Sequence, residues 1–273
     1  MASVWLDGSL IPEDDAHVSP QNRGFLYGDG CFETVRIHGG APFRLDAHFA
    51  RLRDGLEVLG IEPPWSPEDL RQGARKVVET NGVVEGLVRM TVIAGERSTT
   101  RGMATITSRA LPEIPTQPAL HVAAFVRRLS GPLSQVKSIS RAAESVALRE
   151  AQAEGAFDAV LLNEKGRVVE TTARNLFLVS SGILQTPATY EGALPGITRS
   201  AVLEIAARAK IRGRETSVSL DRLRGADEVF LSGSGVGVLG IASVDGHRLD
   251  APGPVTHKIQ DDYAALLDID SKW

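Results

Sequence analysis

A single cysteine, Cys31, stands in the whole chain of 273 residues. That excludes an internal disulfide framework and any cysteine-based metal cluster, and it fits a reducing compartment. A lone cysteine of this kind reads better as a small buried hydrophobe than as a reactive thiol. An excess of basic charge is missing too: 30 Lys and Arg stand against 34 Asp and Glu, a net charge of −4. With the cations scattered and a pI near 5.9, nothing draws the surface to phosphate backbones or anionic lipid, so neither nucleic acid nor membrane is an expected partner. No apolar run approaches the ~18 residues that a membrane span requires, and Met1–Gly8 lacks the basic-then-apolar pattern of a secretory leader. The expectation is a cytoplasmic protein. Lysine is also scarce. Only Lys76, Lys137, Lys165, Lys210, Lys258 and Lys272 are present, which makes a lysine among apolar neighbours conspicuous.

What is present is ordinary for a globular chain: 42% hydrophobic and 23% charged residues, with length for one large or two modest domains. Pro112, Pro115 and Pro118 make Ala110–Ala119 unsuitable for a helix interior or central strand. The expected division is a domain over 1–112, a linker over 113–119 and a second domain over 120–273. Asp7-Gly8 and Gly39-Gly40 each sit between apolar segments and predict hairpins. Leu45, Phe49, Leu52, Leu56 and Leu59 recur at helical spacing before Gly60. Ser66-Pro67-Glu68-Asp69 carries the start signals of a second helix, ended by Asn81-Gly82. Leu87–Ile93 reads as a strand with Arg89 and Thr91 on one face. Beyond the linker, strands are expected at Leu120–Val126, Ala156–Leu162, Arg167–Glu170, Asn175–Val179 and Glu228–Ser232. Helices are expected after Ser140 and after Gly196. There is no internal repeat or low-complexity tract.

Two stretches carry chemistry. In Val136-Lys137-Ser138-Ile139-Ser140 a lysine lies among apolar and small hydroxyl residues, where burial favours the uncharged amine that attacks an aldehyde. Taken alone, a surface lysine in a loop fits the same residues. Glu170 follows Val168-Val169, where a carboxylate must reach water or find a cationic partner such as a protonated pyridine nitrogen. A hairpin-edge glutamate is the competing reading. Gly196-Ile197-Thr198 opens a helix and Gly233-Ser234-Gly235 follows a strand, both places where backbone amides can approach an anion. Arg51 is a candidate counter-charge. Gly235-Val236-Gly237-Val238-Leu239-Gly240 also fits G-x-G-x-x-G, but Ile241–Gly246 reads as strand and hairpin instead of the helix that a dinucleotide site needs.

Asn22–Arg36, His48-Phe49-Ala50-Arg51-Leu52, Lys137, Glu170–Phe177, Leu194–Thr198 and Phe230–Gly235 together resemble the class-IV pyridoxal-phosphate aminotransferases. That family includes branched-chain aminotransferases, D-amino-acid transaminases and 4-amino-4-deoxychorismate lyases. The resemblance implies an α+β fold of two domains, a smaller α/β N-terminal one and a larger β-barrel-like C-terminal one with helices, the cofactor pyridoxal 5'-phosphate between them, in a homodimer. It implies that Lys137 is the catalytic lysine that binds the cofactor aldehyde and moves the Cα proton. Glu170 would hold the pyridine nitrogen, and Arg51, Ile197, Thr198 and Ser234 the phosphate. No metal is implied.

The substrate side has mixed affinities. Arg89 stands where the branched-chain enzymes have a pocket arginine, with Leu87 in place of their tyrosine and Phe32 in place of another. The Gly95–Gly102 loop looks more like the D-amino-acid and lyase branches, and Gly28-Asp29-Gly30-Cys31-Phe32 is shared with many lyases. Phe32, Arg36, Arg89 and Arg101, with Arg97, are the residues placed near the substrate, because a guanidinium fork grips a carboxylate bidentately. The expected activity is amino-group transfer between an amino acid and a 2-oxo acid. The alternative is release of pyruvate from aminodeoxychorismate.

Overall fold

The computed structural model describes residues 2–95 and 102–273. They form two compact units that are discontinuous in sequence. The first takes the chain up to Leu111 together with Val136–Arg141 and Leu267–Trp273; the second takes Pro112–Gln135 and Ala142–Leu266.

In the first unit, β1 (Ser3–Leu6) and β2 (Ser9–Pro12) form the expected hairpin. Asp7 and Gly8 both adopt positive φ, as that tight turn demands. A short helix α1 (Arg23–Tyr27) precedes β3 (Gly30–His38), β4 (Ala41–Pro42), α2 (Leu45–Leu59), α3 (Pro67–Thr80), β5 (Gly86–Ile93) and β6 (Met103–Arg109). The sheet runs β2-β1-β6-β5-β3-β4. The start of α3 is a complete capping box, in which Ser66 Oγ accepts from Asp69 N and Asp69 accepts from Ser66 N. Cys31, Val35 and Ile37 of β3 join Leu45, Phe49, Leu52 and Leu56 of α2 and Ala74 and Val77 of α3 in one core. By strand alternation Phe32, Thr34 and Arg36 occupy the other face, paired with Thr91, Arg89 and Leu87 of β5. The sequence gives β6 little signal, because only Ala104 and Ile106 of it are buried against the core.

The second unit holds β7 (Ala119–Arg128), α4 (Ala142–Ala153), β8 (Asp158–Asn163), β9 (Arg167–Thr171), β10 (Asn175–Ser180), β11 (Ile183–Pro187), α5 (Ile197–Arg208), β12 (Gly213–Thr216), β13 (Val218–Ser219), α6 (Leu220–Arg224), β14 (Glu228–Gly233), β15 (Gly237–Gly240), β16 (Ser243–Val244) and β17 (His247–Arg248). It also holds most of α7 (Pro254–Asp270). One sheet runs β12-β11-β10-β14-β15 and the other β13-β9-β8-β7-β16-β17. The mixture of helix and sheet is the expected α+β class. Ser140 does not cap α4: its amide donates to Ser138 Oγ at 3.0 Å, and the helix begins at Ala142. The long helix α7 was not legible because Pro252-Gly253-Pro254 reads as loop. Its first turn is instead capped from a distance by buried Glu228, which accepts from Val255 N at 3.0 Å and Thr256 N at 2.7 Å. Among the described residues no helix is long and apolar enough to cross a membrane, and no group of side chains could hold a metal ion.

Candidate active site

Lys137 is fixed by backbone pairing with the start of β3. Phe32 N donates to Lys137 O at 2.9 Å and Ile139 N to Gly30 O at 3.0 Å, while Cys31 and Ser138 form an isolated antiparallel bridge. Buried Val136 belongs to the first unit's core and anchors the preceding residue. The ammonium Nζ then stands 4.7 Å from the centroid of the Phe32 ring. The guanidinium of Arg89 lies 3.7 Å from the same centroid, and its Nε donates to Thr91 Oγ1 at 3.2 Å. Burial, then the charges of Arg109 and Arg141, lower the Arg89 pKa to about 10, so it stays cationic at neutral pH. One aromatic ring thus carries the Lys137 side-chain nitrogen and the Arg89 guanidinium. Arg36 shares the face by alternation but donates from Nη2 to Glu85 Oε2 at 2.9 Å. Arg97 and Arg101 lie outside the described residues.

On the opposite face of β3, Glu33 is 0% exposed and takes Arg51 through both oxygens, Nε to Oε1 and Nη2 to Oε2, each at 2.7 Å. His48 Nδ1, one turn earlier on α2, lies 2.7 Å from Glu33 Oε2. Burial alone would raise the Glu33 carboxyl, but the charges and hydrogen bonds of Arg51 and His48 overcome it and hold the pKa at about 2. Burial lowers the His48 pKa against the pull of Glu33. The Cys31 thiol is pushed up to about 12 by burial, then by Glu33 and Asp29, which leaves it protonated and unreactive. Glu33 and His48 were not singled out from sequence. The available signal was a carboxylate at an alternating apolar position of a strand, between Cys31 and Val35.

This pair has a measurable consequence. An unfolded glutamate titrates near 4.5 and the folded Glu33 near 2, so its stabilisation is complete above about pH 4.5 and is lost as pH falls toward 2. Glu33→Gln is expected to destabilise the fold by ~3–5 kcal/mol at neutral pH, because it strips a buried ion pair of its anion. Urea unfolding at pH 7, 4 and 3 should show the gap to wild type narrowing with acid. A gap that does not change with pH would contradict the assignment.

In the second unit Glu170 closes β9 with only 7% of its surface exposed. Its Oε2 accepts from Asn175 Nδ2 and from Leu194 N, both at 3.1 Å, and its Oε1 lies 3.3 Å from Arg128 Nη2. Between Glu170 and Asn175 the chain is clamped by buried Asp158, which accepts from Thr171 Oγ1 at 2.8 Å, Thr172 Oγ1 at 2.6 Å and Thr172 N at 3.1 Å, and pairs with Arg174. Asn175 Nδ2 also donates to Leu194 O at 2.8 Å, tying Glu170 to the entry of α5. A Cβ at Gly196 would sit 2.0 Å from Asn175 Oδ1, so only glycine permits this close approach. Gly196 is the N-cap of α5 and makes no side-chain cap. The first turn therefore presents the amides of Ile197 and of buried Thr198 without a capping side chain.

Asn175 pairs with Ser232 of β14, and the turn after that strand carries Ser234 into β15. Asn175, which lies in the Glu170–Phe177 stretch singled out from sequence, thus links Glu170 to Leu194 before α5 and to β14. The turn also disposes of the dinucleotide pattern, since β15 follows where a helix would be required. The second unit therefore offers a buried carboxylate and a helix start without a capping side chain. The first unit offers an amine beside a guanidinium.

Residues 30–244 match the family model described as amino-transferase class IV. A branched-chain-amino-acid aminotransferase of Pseudomonas aeruginosa is 31% identical, with 97% of this chain and 92% of the relative covered. A D-alanine aminotransferase of Bacillus licheniformis is 28% identical over 94% of each chain. The crystal structure of a branched-chain aminotransferase from Thermoproteus uzoniensis with norvaline superposes with a TM-score of 0.91 at 29% identity, covering 98% of this chain and 95% of that one.

Proposed function

The chain belongs to the class IV aminotransferases, an enzyme family that moves amino groups between amino acids and 2-oxo acids, and we propose that it does so with pyridoxal 5'-phosphate on branched-chain or D-amino acids. The observation that carries the substrate side of this reading is the Phe32 ring shared by Lys137 and Arg89. A substrate carboxylate gripped by Arg89 brings its amino group and Cα within the domain of Lys137. Phe32 supplies an apolar wall against which the substrate rests.

The residues present fit the cofactor. Glu170 is a buried acceptor whose second oxygen is already aimed by Asn175 and Leu194, and it suits a ring N–H. Ile197 N, Thr198, Ser234 and Arg51 supply the donors expected for the phosphate, and Lys137 the amine for the aldehyde. The bound cofactor supplies an aldehyde that accepts the amino group and a protonated ring that stabilises negative charge at Cα. With the cofactor bound, Lys137 would carry the proton from the substrate Cα to the carbon that bore the aldehyde, and would move it in the reverse direction in the other half of the cycle. Arg89 fixes the substrate carboxylate, with Arg36 and Arg101 assigned to the same substrate and Arg51 held in place for the phosphate by Glu33. Glu170 keeps a negative charge opposite the ring nitrogen.

The test is a titration of the yellow holoenzyme with separate L- and D-amino-acid panels. Conversion to the aminated cofactor by branched-chain amino acids or D-alanine supports the reading; no conversion by any donor sinks it. Release of pyruvate from aminodeoxychorismate without an amino acceptor would favour the lyase.

A cytoplasmic homodimer completes the proposal. Phe125 is 88% exposed and Leu129, Leu133 and Tyr190 are exposed with it, apolar side chains that a second subunit would cover. Leu129 and Tyr190 lie on adjoining segments, since a Cβ on Gly192 would meet Leu129 O at 3.5 Å. Combining Leu129→Asp with Leu133→Asp is expected to give a monomer by sedimentation at concentrations where wild type is dimeric. A wild-type monomer, or a variant that stays dimeric, would overturn this.

A further inference from the structure

Arg128 belongs to no sequence motif, yet its guanidinium forms an ion pair with the carboxylate of Glu170. It ends β7, and its guanidinium is used on every side: Nη1 meets Glu144 Oε1 at 2.6 Å, Nη2 meets Glu170 Oε1 at 3.3 Å, Nη2 donates to Ser134 O at 3.2 Å and Nε donates to Gly192 O at 3.3 Å. The three charged side chains are nearly closed to water, with 16%, 10% and 9% of Arg128, Glu144 and Glu170 exposed. Two carboxylates therefore share one arginine whose orientation is fixed by two backbone carbonyls.

Such a guanidinium does more than join β7 to α4. An ionised carboxylate this deeply buried is costly unless cations or donors face it. Two neutral donors, Asn175 Nδ2 and Leu194 N, face Oε2 of Glu170, whereas Arg128 faces Oε1. Resting on the function proposed above, we propose that Arg128 is a positioning residue that keeps Glu170 ionised and aimed at the cofactor's ring nitrogen. Its removal raises the proton affinity of Glu170 more than that of the ring, because the carboxylate is the nearer group. The proton between them then passes to Glu170, and the ring loses the charge that stabilises the carbanion.

The test uses holoenzymes carrying pyridoxal phosphate labelled with 15N in the ring, whose chemical shift reports protonation directly. Wild type should show a protonated ring nitrogen. R128Q and R128M should move the signal toward the unprotonated position and lower kcat by roughly 10–100-fold, the range found for partners that act through a reactive group's neighbour, with KM for the amino donor little changed. R128K should restore part of both, and E144Q, which leaves Arg128 to Glu170, should keep the protonated signal. R128Q retains donors for the two carbonyls and decides the matter if R128M does not fold. An R128Q holoenzyme with the wild-type shift and kcat overturns the inference while leaving the proposed function intact. Wild-type protein that takes up no pyridoxal phosphate sinks that function itself.

Discussion

Lys137→Ala is expected to lose ~10²–10⁴-fold in kcat, the contribution of a positioned proton carrier, together with covalent retention of the cofactor. The fold should survive the change. The Lys137 carbonyl still accepts from Phe32 N, the Cys31 to Ser138 bridge does not involve the side chain, and Val136 remains in the core. Among the contacts given up is the one between the Lys137 side chain and the Phe32 ring, about 0.5–1 kcal/mol. Borohydride reduction of the wild-type holoenzyme followed by peptide mass analysis should place the cofactor on Lys137 and on none of the other five lysines. Near wild-type turnover by the alanine variant, or a label at another lysine, would refute the assignment.

Glu170→Gln should be the second most severe change. On the proposed function it removes the negative charge opposite the ring nitrogen while keeping the side-chain volume, and the expected loss is roughly 10²–10³-fold in kcat, comparable with deleting one preorganised electrostatic partner of a reacting centre. A modest loss of stability accompanies it. One glutamine oxygen can still accept from Asn175 and Leu194, but the amide nitrogen then faces the Arg128 guanidinium, donor against donor, at a cost of about 1–3 kcal/mol. Thermal unfolding separates the two effects, since a variant folded at the assay temperature and still slow has lost chemistry and not structure. Wild-type kcat in a folded Glu170→Gln enzyme would remove this residue from the site.

The parts of the fold legible in the sequence are those whose signals are local. The α2 helix announces itself by Leu45, Phe49, Leu52 and Leu56 and stops at Gly60, which adopts positive φ. The α3 helix opens on Ser66 and Pro67 because a capping box closes within four residues. Lys137, Glu170, Ile197, Thr198 and Ser234 could be singled out only jointly, because each lies in a short stretch that is ambiguous alone and the stretches together, in order, resemble the family. Strand β6 and helix α7 were missed because their stabilisation comes from elsewhere, β6 from neighbours β1 and β5 and α7 from Glu228.

The supporting shell of the site was illegible for a related reason. Arg51 was readable as a candidate, but the buried Glu33 and His48 that hold it come from a strand and a helix face brought together by packing. Arg128 and Asn175 look unremarkable in the chain. Their importance lies in the ion pair of Arg128 and the hydrogen bond of Asn175 with Glu170, and the approach of Asn175 depends on strand register and on Gly196.

Residue order alone determined the fold class and the family to which the chain belongs, because these rest on side-chain type and the order of short stretches along the chain. Only the tertiary structure decided which groups surround the candidate side chains. Electrostatic and hydrogen-bond energies depend on separations of a few ångströms and on burial, and neither is written in the distance along a chain.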